Sequence, residues 1–247
     1  KEVTEPATIY KYKVEEWKSK KVEENLYLLA WSTTPWNKIA TPALAVNSKL
    51  KYVKVKQGVE YYILAKTTMK MLHDKPKWEV VEEFMGVDLV GLKFEPHYDF
   101  YRPEADKRRF IVVGGDFVTA DEGTGIVTLA VYGEEDFEIM KKENIQMVAH
   151  VDEEGIIKKE VPKFGGMYYL KANELVNEDL GKRGLVYRKD LQTHRVPHCW
   201  RCGIQLMHAP QDAWYINVAK LKPLMKKTNE EVNWFPKHFK NGRYLKS

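Results

Sequence analysis

Residues 52–64 constrain the fold most. Tyr52-Val53-Lys54-Val55-Lys56 alternates apolar and polar residues, Gln57-Gly58 supplies a turn, and Tyr61-Tyr62-Ile63-Leu64 runs back. A period of two belongs to a strand with one covered face, and two such runs about a glycine turn make an antiparallel hairpin. The same signals predict strands over residues 78–81, 110–113 and 126–131, and a second hairpin over 151–157. Helices are few and short. One is predicted over 67–72. Another spans 134–143, where early acids and late lysines suit the helix dipole. A third runs over 171–182 and is stopped by Gly184. Strands mixed with a few short helices argue for an α+β, barrel-like body and against a doubly wound sheet.

With 247 residues, 44% hydrophobic and 30% charged, the chain has the material for a proper core and is not a disordered sequence. No apolar run approaches the roughly 20 residues that span a bilayer, so no membrane partner is expected. Lys1-Glu2-Val3-Thr4-Glu5-Pro6 lacks the apolar core of a secretory signal. The net charge of +5 permits an RNA partner without requiring one. Two cysteines are too few for a disulfide framework, which fits a reducing, cytoplasmic setting. Beyond residue 187 the sequence becomes dense in His, Cys and Trp. The chain therefore divides into a body, 1–187, and a small Cys/Trp-rich segment, 188–247.

Three stretches carry chemistry. Trp31-Ser32-Thr33-Thr34-Pro35-Trp36 closes the apolar run Tyr27–Ala30 with three adjacent hydroxyls and a proline that ends ladder pairing. This is either a turn whose hydroxyls bond their own backbone or the rim of a polar pocket. Gly123-Thr124-Gly125-Ile126-Val127 is a turn feeding a strand, without the helix that a dinucleotide fingerprint needs. The strand leads to Tyr132-Gly133-Glu134-Glu135-Asp136-Phe137. Those acids either cap a helix or present a carboxylate to a cationic ligand such as an ammonium group. Cys199-x-x-Cys202 is half of a tetrahedral zinc site, with the further readings of a redox pair or two small structural residues.

In sequence order, these pieces resemble the editing insertion of the isoleucyl-tRNA synthetase family. Trp31–Trp36 is similar to that family's WTTTPW segment, followed as there by Ala43-Leu44-Ala45-Val46-Asn47. Gly123–Val127 matches GTGIV, and Gly133–Phe137 resembles the acidic stretch beyond it. Val151–Gly155, Phe164-Gly165-Gly166-Met167-Tyr168 and Pro197–Cys202 complete the series. Any one match is weak, but the ordered series is specific. TTPW in place of TTRP points to the isoleucine member over the valine and leucine relatives.

The resemblance implies a β-barrel-like editing domain that hydrolyses valine from mischarged tRNA(Ile). Binding alone discriminates one methylene by only about 1–3 kcal/mol, a limit best known from this very enzyme. It implies Thr33, Thr34 and Asp136 as catalytic residues, the threonines holding substrate and water and Asp136 anchoring the α-ammonium group. Ser32, Trp36, Gly125, Thr128 and Tyr132 are the implied substrate-binding residues. No cofactor is implied for editing; zinc at Cys199 and Cys202 would need ligands from elsewhere. The implied partners are the tRNA(Ile) acceptor end carrying valine and the remainder of a larger synthetase, of which this would be a monomeric fragment lacking the HIGH and KMSKS adenylation signatures. Thr128 stands where the family usually has histidine, Ala130-Val131 where it has Ala-Pro, and Asn37-Lys38-Ile39 where it has TLP. Those departures keep open a second function: an insertion that binds the acceptor end without hydrolysis.

Overall fold

The computed structural model describes residues 1–22, 24–121 and 123–246. Contacts divide it into a large unit, Lys1–Pro210, and a small one that begins at Gln211. Eleven strands form the sheet of the large unit. In chain order they are β1 (Glu2–Trp17), β2 (Lys20–Lys21), β3 (Leu26–Ser32), β4 (Ala43–Val46), β5 (Lys51–Gln57) and β6 (Glu60–Ala65). They continue as β7 (Trp78–Met85), β8 (Lys93–Phe94), β9 (Ile111–Gly114), β10 (Ile126–Leu129) and β11 (Val186–Arg195). Two helices, α1 (Glu134–Lys142) and α2 (Ala172–Lys182), complete this unit. The small unit holds α3 (Val218–Asn229) and α4 (His238–Gly242).

The strand order is β10-β4-β9-β8-β1-β3-β6-β5-β7, with β2 and β11 added on β1. The path is open, yet β10 at one end packs across β3 in the middle, so the sheet curls around its core. Most pairs are antiparallel; β3 with β6 and β4 with β9 are parallel. This is an α+β architecture, barrel-like without closing as a ladder.

The predicted hairpin forms as β5 and β6, with Gln57 opposite Glu60 and Gly58 at φ +64°. Its alternation suggests one covered face, whereas the structure covers both. Tyr52 and Ile63 enter the main core, while Val53, Val55, Tyr62 and Leu64 join a second cluster with Ile9, Leu29 and Leu72. Lys54 can lie in so apolar a place because its ammonium meets Glu24 and sits 4.8 Å from the centre of the Tyr61 ring. The predicted short helix is a 3-10 turn over Lys66–Met71, and the 151–157 hairpin is a single bridge, Val151 to Ile157. β1, which pairs with β3, β8, β11 and β2, is not signalled by the sequence. Its charged residues interrupt the pattern, although residues 7–12 are all buried.

A boundary at 187 falls inside β11, which runs antiparallel along Glu2–Tyr10 of β1 and carries residues up to 210 with the large unit. Residues 188–195, which read as part of a separate segment, are held there by ladder pairing, which composition does not reveal.

The Gly-Thr-Gly turn is locked rather than open. Gly125 has φ +72°, and a Cβ on it would stand 2.5 Å from the Ala65 Cβ. Thr124 O accepts the Ala65 amide at 2.9 Å, and Tyr52 donates to Gly125 O at 2.7 Å. Gly125→Ala therefore meets left-handed strain and a steric clash together, and should lower stability by about 2–5 kcal/mol. Gly166 also has positive φ but open space beyond its Cα. Gly166→Ala should cost only about 1–2 kcal/mol, and urea unfolding of both variants checks the contrast.

Candidate functional site

The chain leaves β3 at Ser32 because Pro35 has no amide hydrogen for a ladder. Ser32 Oγ accepts the Thr34 amide at 3.1 Å and lies 3.1 Å from Thr34 Oγ1, so the hydroxyl turn does form. Asn37 Nδ2 donates to Thr34 Oγ1 at 3.2 Å. Thr33 is half-buried, and among the described residues no group bonds its hydroxyl. Pro35, with φ pre-set for a helical start, opens a 3-10 turn over Pro35–Ala40 that buries Trp36, Lys38 and Ile39.

Trp36 is 4% exposed and lies edge-on to Tyr132 and Tyr169, with ring centres 4.8 and 4.9 Å away. Its amide donates to Asn173 Oδ1 on α2 at 3.1 Å. Its carbonyl is 3.2 Å from His150 Nε2, and Tyr132 Oη is 3.4 Å from His150 Nδ1 and accepts the Val151 amide at 2.8 Å. A neutral imidazole donates from one nitrogen only, so Nε2 carries the hydrogen toward the carbonyl and Nδ1 accepts from tyrosine. Trp36 and Tyr132 are thus the packed floor beneath the hydroxyl turn.

Asp136 is the third residue of α1, where the helix dipole favours a carboxylate. Its Oδ2 accepts the Ala130 amide at 3.1 Å. A Cβ at Gly133 would stand 2.9 Å from that carboxylate, so glycine there lets the side chain fold back over the helix start. Burial pushes the Asp136 carboxyl up to about 6, against the pull of the Ala130 amide and of the Lys38 ammonium; Glu135 adds to the rise.

Lys38 is the residue that sequence reasoning passes over. It is 1% exposed, and its Nζ donates to Thr128 Oγ1 on β10 at 2.6 Å. Burial brings its ammonium down to about 7, with Asp136 holding it up. Nothing in the sequence separates it from a solvated lysine except its place inside a turn of mostly apolar residues. Two links therefore tie the turn after β3 to the segment leading into α1: Lys38 to Thr128, and Trp36 to Tyr132. Thr128, Trp36 and Tyr132 meet in these links and Asp136 bears on Lys38 by its charge; Ser32 and Thr34 form the turn just before Pro35, and Gly125 acts from one strand-length away through the packing of its loop on Ala65.

Cys199 and Cys202 lie apart, in a tight knuckle closed by Cys199 N to Ile204 O and Gly203 N to Cys199 O, at 2.8 and 2.9 Å. Amide groups of Cys202 and Arg201 directed at the sulfur lower the Cys199 thiol. Among the described residues no group of three or more His, Cys, Asp or Glu could hold a metal. Two thiols alone do not make the four-ligand set that zinc takes, so the described residues do not supply a closed site.

The whole chain matches isoleucine–tRNA ligases. It is 39% identical over 247 residues to that of Clostridium tetani, 38% to that of Clostridium acetobutylicum and 32% over 250 residues to that of Chlamydia abortus. Over its whole length the chain is similar to one stretch of the isoleucine–tRNA ligases. It spans 23% of the length of these relatives. No protein-family model matches it. Its fold is shared with a leucyl-tRNA synthetase CP1 structure, at TM-score 0.61 and 12% identity, covering 74% of this chain and 99% of that one. It is also shared with the Plasmodium knowlesi cytosolic leucyl-tRNA synthetase editing domain, at TM-score 0.54 and 14% identity over 77% of this chain and 97% of that one. No helix among the described residues is long and apolar enough to cross a membrane.

The buried imidazoles make stability depend on pH. Burial lowers His97 to about 3 and His150 to about 4, below the ordinary 6.5, so the unfolded chain binds more protons than the folded one between 6.5 and about 4. Their contribution is present above 6.5 and is lost as pH falls. Asp136, raised to about 6 from 3.8, has the opposite sign and gains stability over that window. Two histidines outweigh one carboxyl, so the unfolding free energy measured in urea should fall by about 2 kcal/mol between pH 7 and pH 5.

Proposed function

We propose that the large unit is a hydrolytic editing domain that clears valine from mischarged tRNA(Ile), working as part of a larger isoleucine–tRNA ligase. One observation carries the reading: a half-buried carboxylate, Asp136, folds back at a helix start and bears by its charge on Lys38, in the turn that follows the hydroxyls of residues 32–34, in a chain with an editing-domain fold. Asp136 receives the α-ammonium of the esterified amino acid, a charge-assisted contact that fixes the ester's orientation. Thr33, with a free hydroxyl, and Thr34, held by Ser32 and Asn37, position the ester and a water. The water oxygen bonds to the carbonyl carbon, the bond from that carbon to the ribose oxygen breaks, and the ribose oxygen takes a proton. Valine leaves as the free amino acid. Trp36 and Tyr132 form the rigid base on which the turn stands, and Gly125 keeps the adjoining loop against β6.

The partners follow from this reading: the tRNA(Ile) acceptor end carrying valine, and the remainder of the synthetase, to which the segment after the editing body leads back. The domain acts as a monomer, in the cytoplasm, with no cofactor for the hydrolysis. Cys199 and Cys202 supply two zinc ligands whose partners come from outside the chain, which the closed backbone of their knuckle supports.

The second reading, acceptor-end binding without cleavage, is favoured by Thr128, whose hydroxyl is engaged by Lys38 and not by an imidazole. Deacylation of valyl-tRNA(Ile), with isoleucyl-tRNA(Ile) alongside, decides between them. Under the hydrolytic reading Asp136→Ala should slow deacylation by about tenfold to a hundredfold, the value of a charged hydrogen bond of roughly 1.5–3 kcal/mol. Unchanged turnover would remove Asp136 from the anchor role.

Selectivity supplies a further check. Threonine is smaller than histidine, so the wall at position 128 excludes the extra methyl of isoleucine weakly. Thr128→His should raise the ratio of valyl to isoleucyl ester hydrolysis, within the roughly tenfold to hundredfold range that one methylene allows. A wild-type ratio that is already high and unmoved by the substitution would overturn this assignment.

A further inference from the structure

Lys38 is buried, and among the described residues no carboxylate makes an ion pair with it. A methionine would fill the same volume without the cost of an unpaired ammonium away from water, which runs to several kcal/mol. Such a violation of good packing is expected where a site needs the charge. The groups facing Lys38 come from four places. Thr128 on β10 accepts its hydrogen bond, the Tyr10 ring on β1 lies 5.5 Å from Nζ, and Asp136 on α1 and His97 feel its charge. Asp136 is faced in turn by the Ala130 amide and by Glu135, and His97 by Arg183 as well.

An ammonium has three donors and no acceptor. At 2.6 Å from it, Thr128 Oγ1 must be the acceptor, and the Thr128 hydroxyl hydrogen therefore points away from Lys38. An amine, by contrast, has a lone pair, and the threonine hydroxyl can turn to bond it. We propose that Lys38 is a positioning residue for ester hydrolysis: its protonated head orients the Thr128 hydroxyl as a free hydrogen-bond donor for the substrate ester, and loss of that proton turns the donor inward. The proposal rests on the hydrolytic reading of the site. It adds a control opposite in sign to that of Asp136, because loss of the Lys38 proton lowers the rate as pH rises, whereas loss of the Asp136 proton supplies the anion that receives the substrate ammonium. Burial brings the Lys38 ammonium down to about 7 and the Asp136 carboxyl up to about 6.

The test is kcat for deacylation of valyl-tRNA(Ile) by the 247-residue chain between pH 5.5 and 8.5, corrected for the uncatalysed rate, together with the carbon NMR titration of the Lys38 Cε. The wild-type rate should fall above a midpoint near 7, matching the lysine titration. Lys38→Met and Thr128→Val should each lower kcat at pH 6.5 by about fivefold to tenfold, one neutral hydrogen bond, and abolish the alkaline fall. The double variant should lose no more than either alone, and Thr128→Ser should restore both the rate and the pH dependence. An inactive wild-type chain overturns the hydrolytic reading and this proposal together. An active chain whose alkaline limb survives Lys38→Met, or whose Lys38 titrates near the ordinary lysine value, overturns the proposal alone.

Discussion

The missing amide hydrogen of Pro35 is the constraint on which the site depends. β3 cannot continue past it, so the chain turns, and the small residues before it satisfy their own backbone: Ser32 accepts the Thr34 amide, and Asn37 reaches back to Thr34. The turn beyond the proline is as important as the break. Over Pro35–Ala40 it drives Trp36 and Lys38, of opposite chemical character, into the same interior, one as a large apolar anchor and the other as a buried cation. The anchor fixes where the hydroxyls stand. The cation fixes what charge lies behind them.

That charge sits in a region of low effective dielectric, where a carboxyl and an ammonium act on each other strongly without touching. Asp136 has three supports as an anion, namely the Ala130 amide, the start of α1 and the Lys38 charge, and burial still raises it to about 6. Desolvation is therefore the larger effect. Gly133 makes the arrangement possible at all, since any side chain there would occupy the carboxylate's place.

Local signals were legible wherever a residue's neighbours in sequence are also its neighbours in space. The hairpin of β5 and β6, the helix after Gly133 and the hydroxyl turn are of this kind. β1 was not, because its burial comes from β3, β8 and β11, which lie tens to nearly two hundred positions away. For the same reason the body extends past residue 187: β11 belongs to it through pairing with the amino terminus. Gly125 was visible as a turn, but its packing on Ala65 could be seen only when β6 was in place. Lys38 was hidden most completely. Lysine is ordinarily a surface residue, and the hydroxyl that accepts its hydrogen bond is ninety positions away.

Two departures from the family pattern that look independent in sequence are in contact in space. Lys38 stands in the segment where the family has TLP, and Thr128 stands where it usually has histidine; the two side chains meet at 2.6 Å. An apolar residue at 38 would leave the Thr128 hydroxyl without its donor, and an apolar residue at 128 would leave the Lys38 ammonium without its acceptor. Either change alone leaves a buried polar group unpaired. Together they form a hydrogen bond and conserve a polar group at the same depth of the fold. Thr128, where the resemblance leads one to expect histidine, therefore comes with a buried partner: a cation and a hydroxyl, arriving from two elements, are joined by one hydrogen bond.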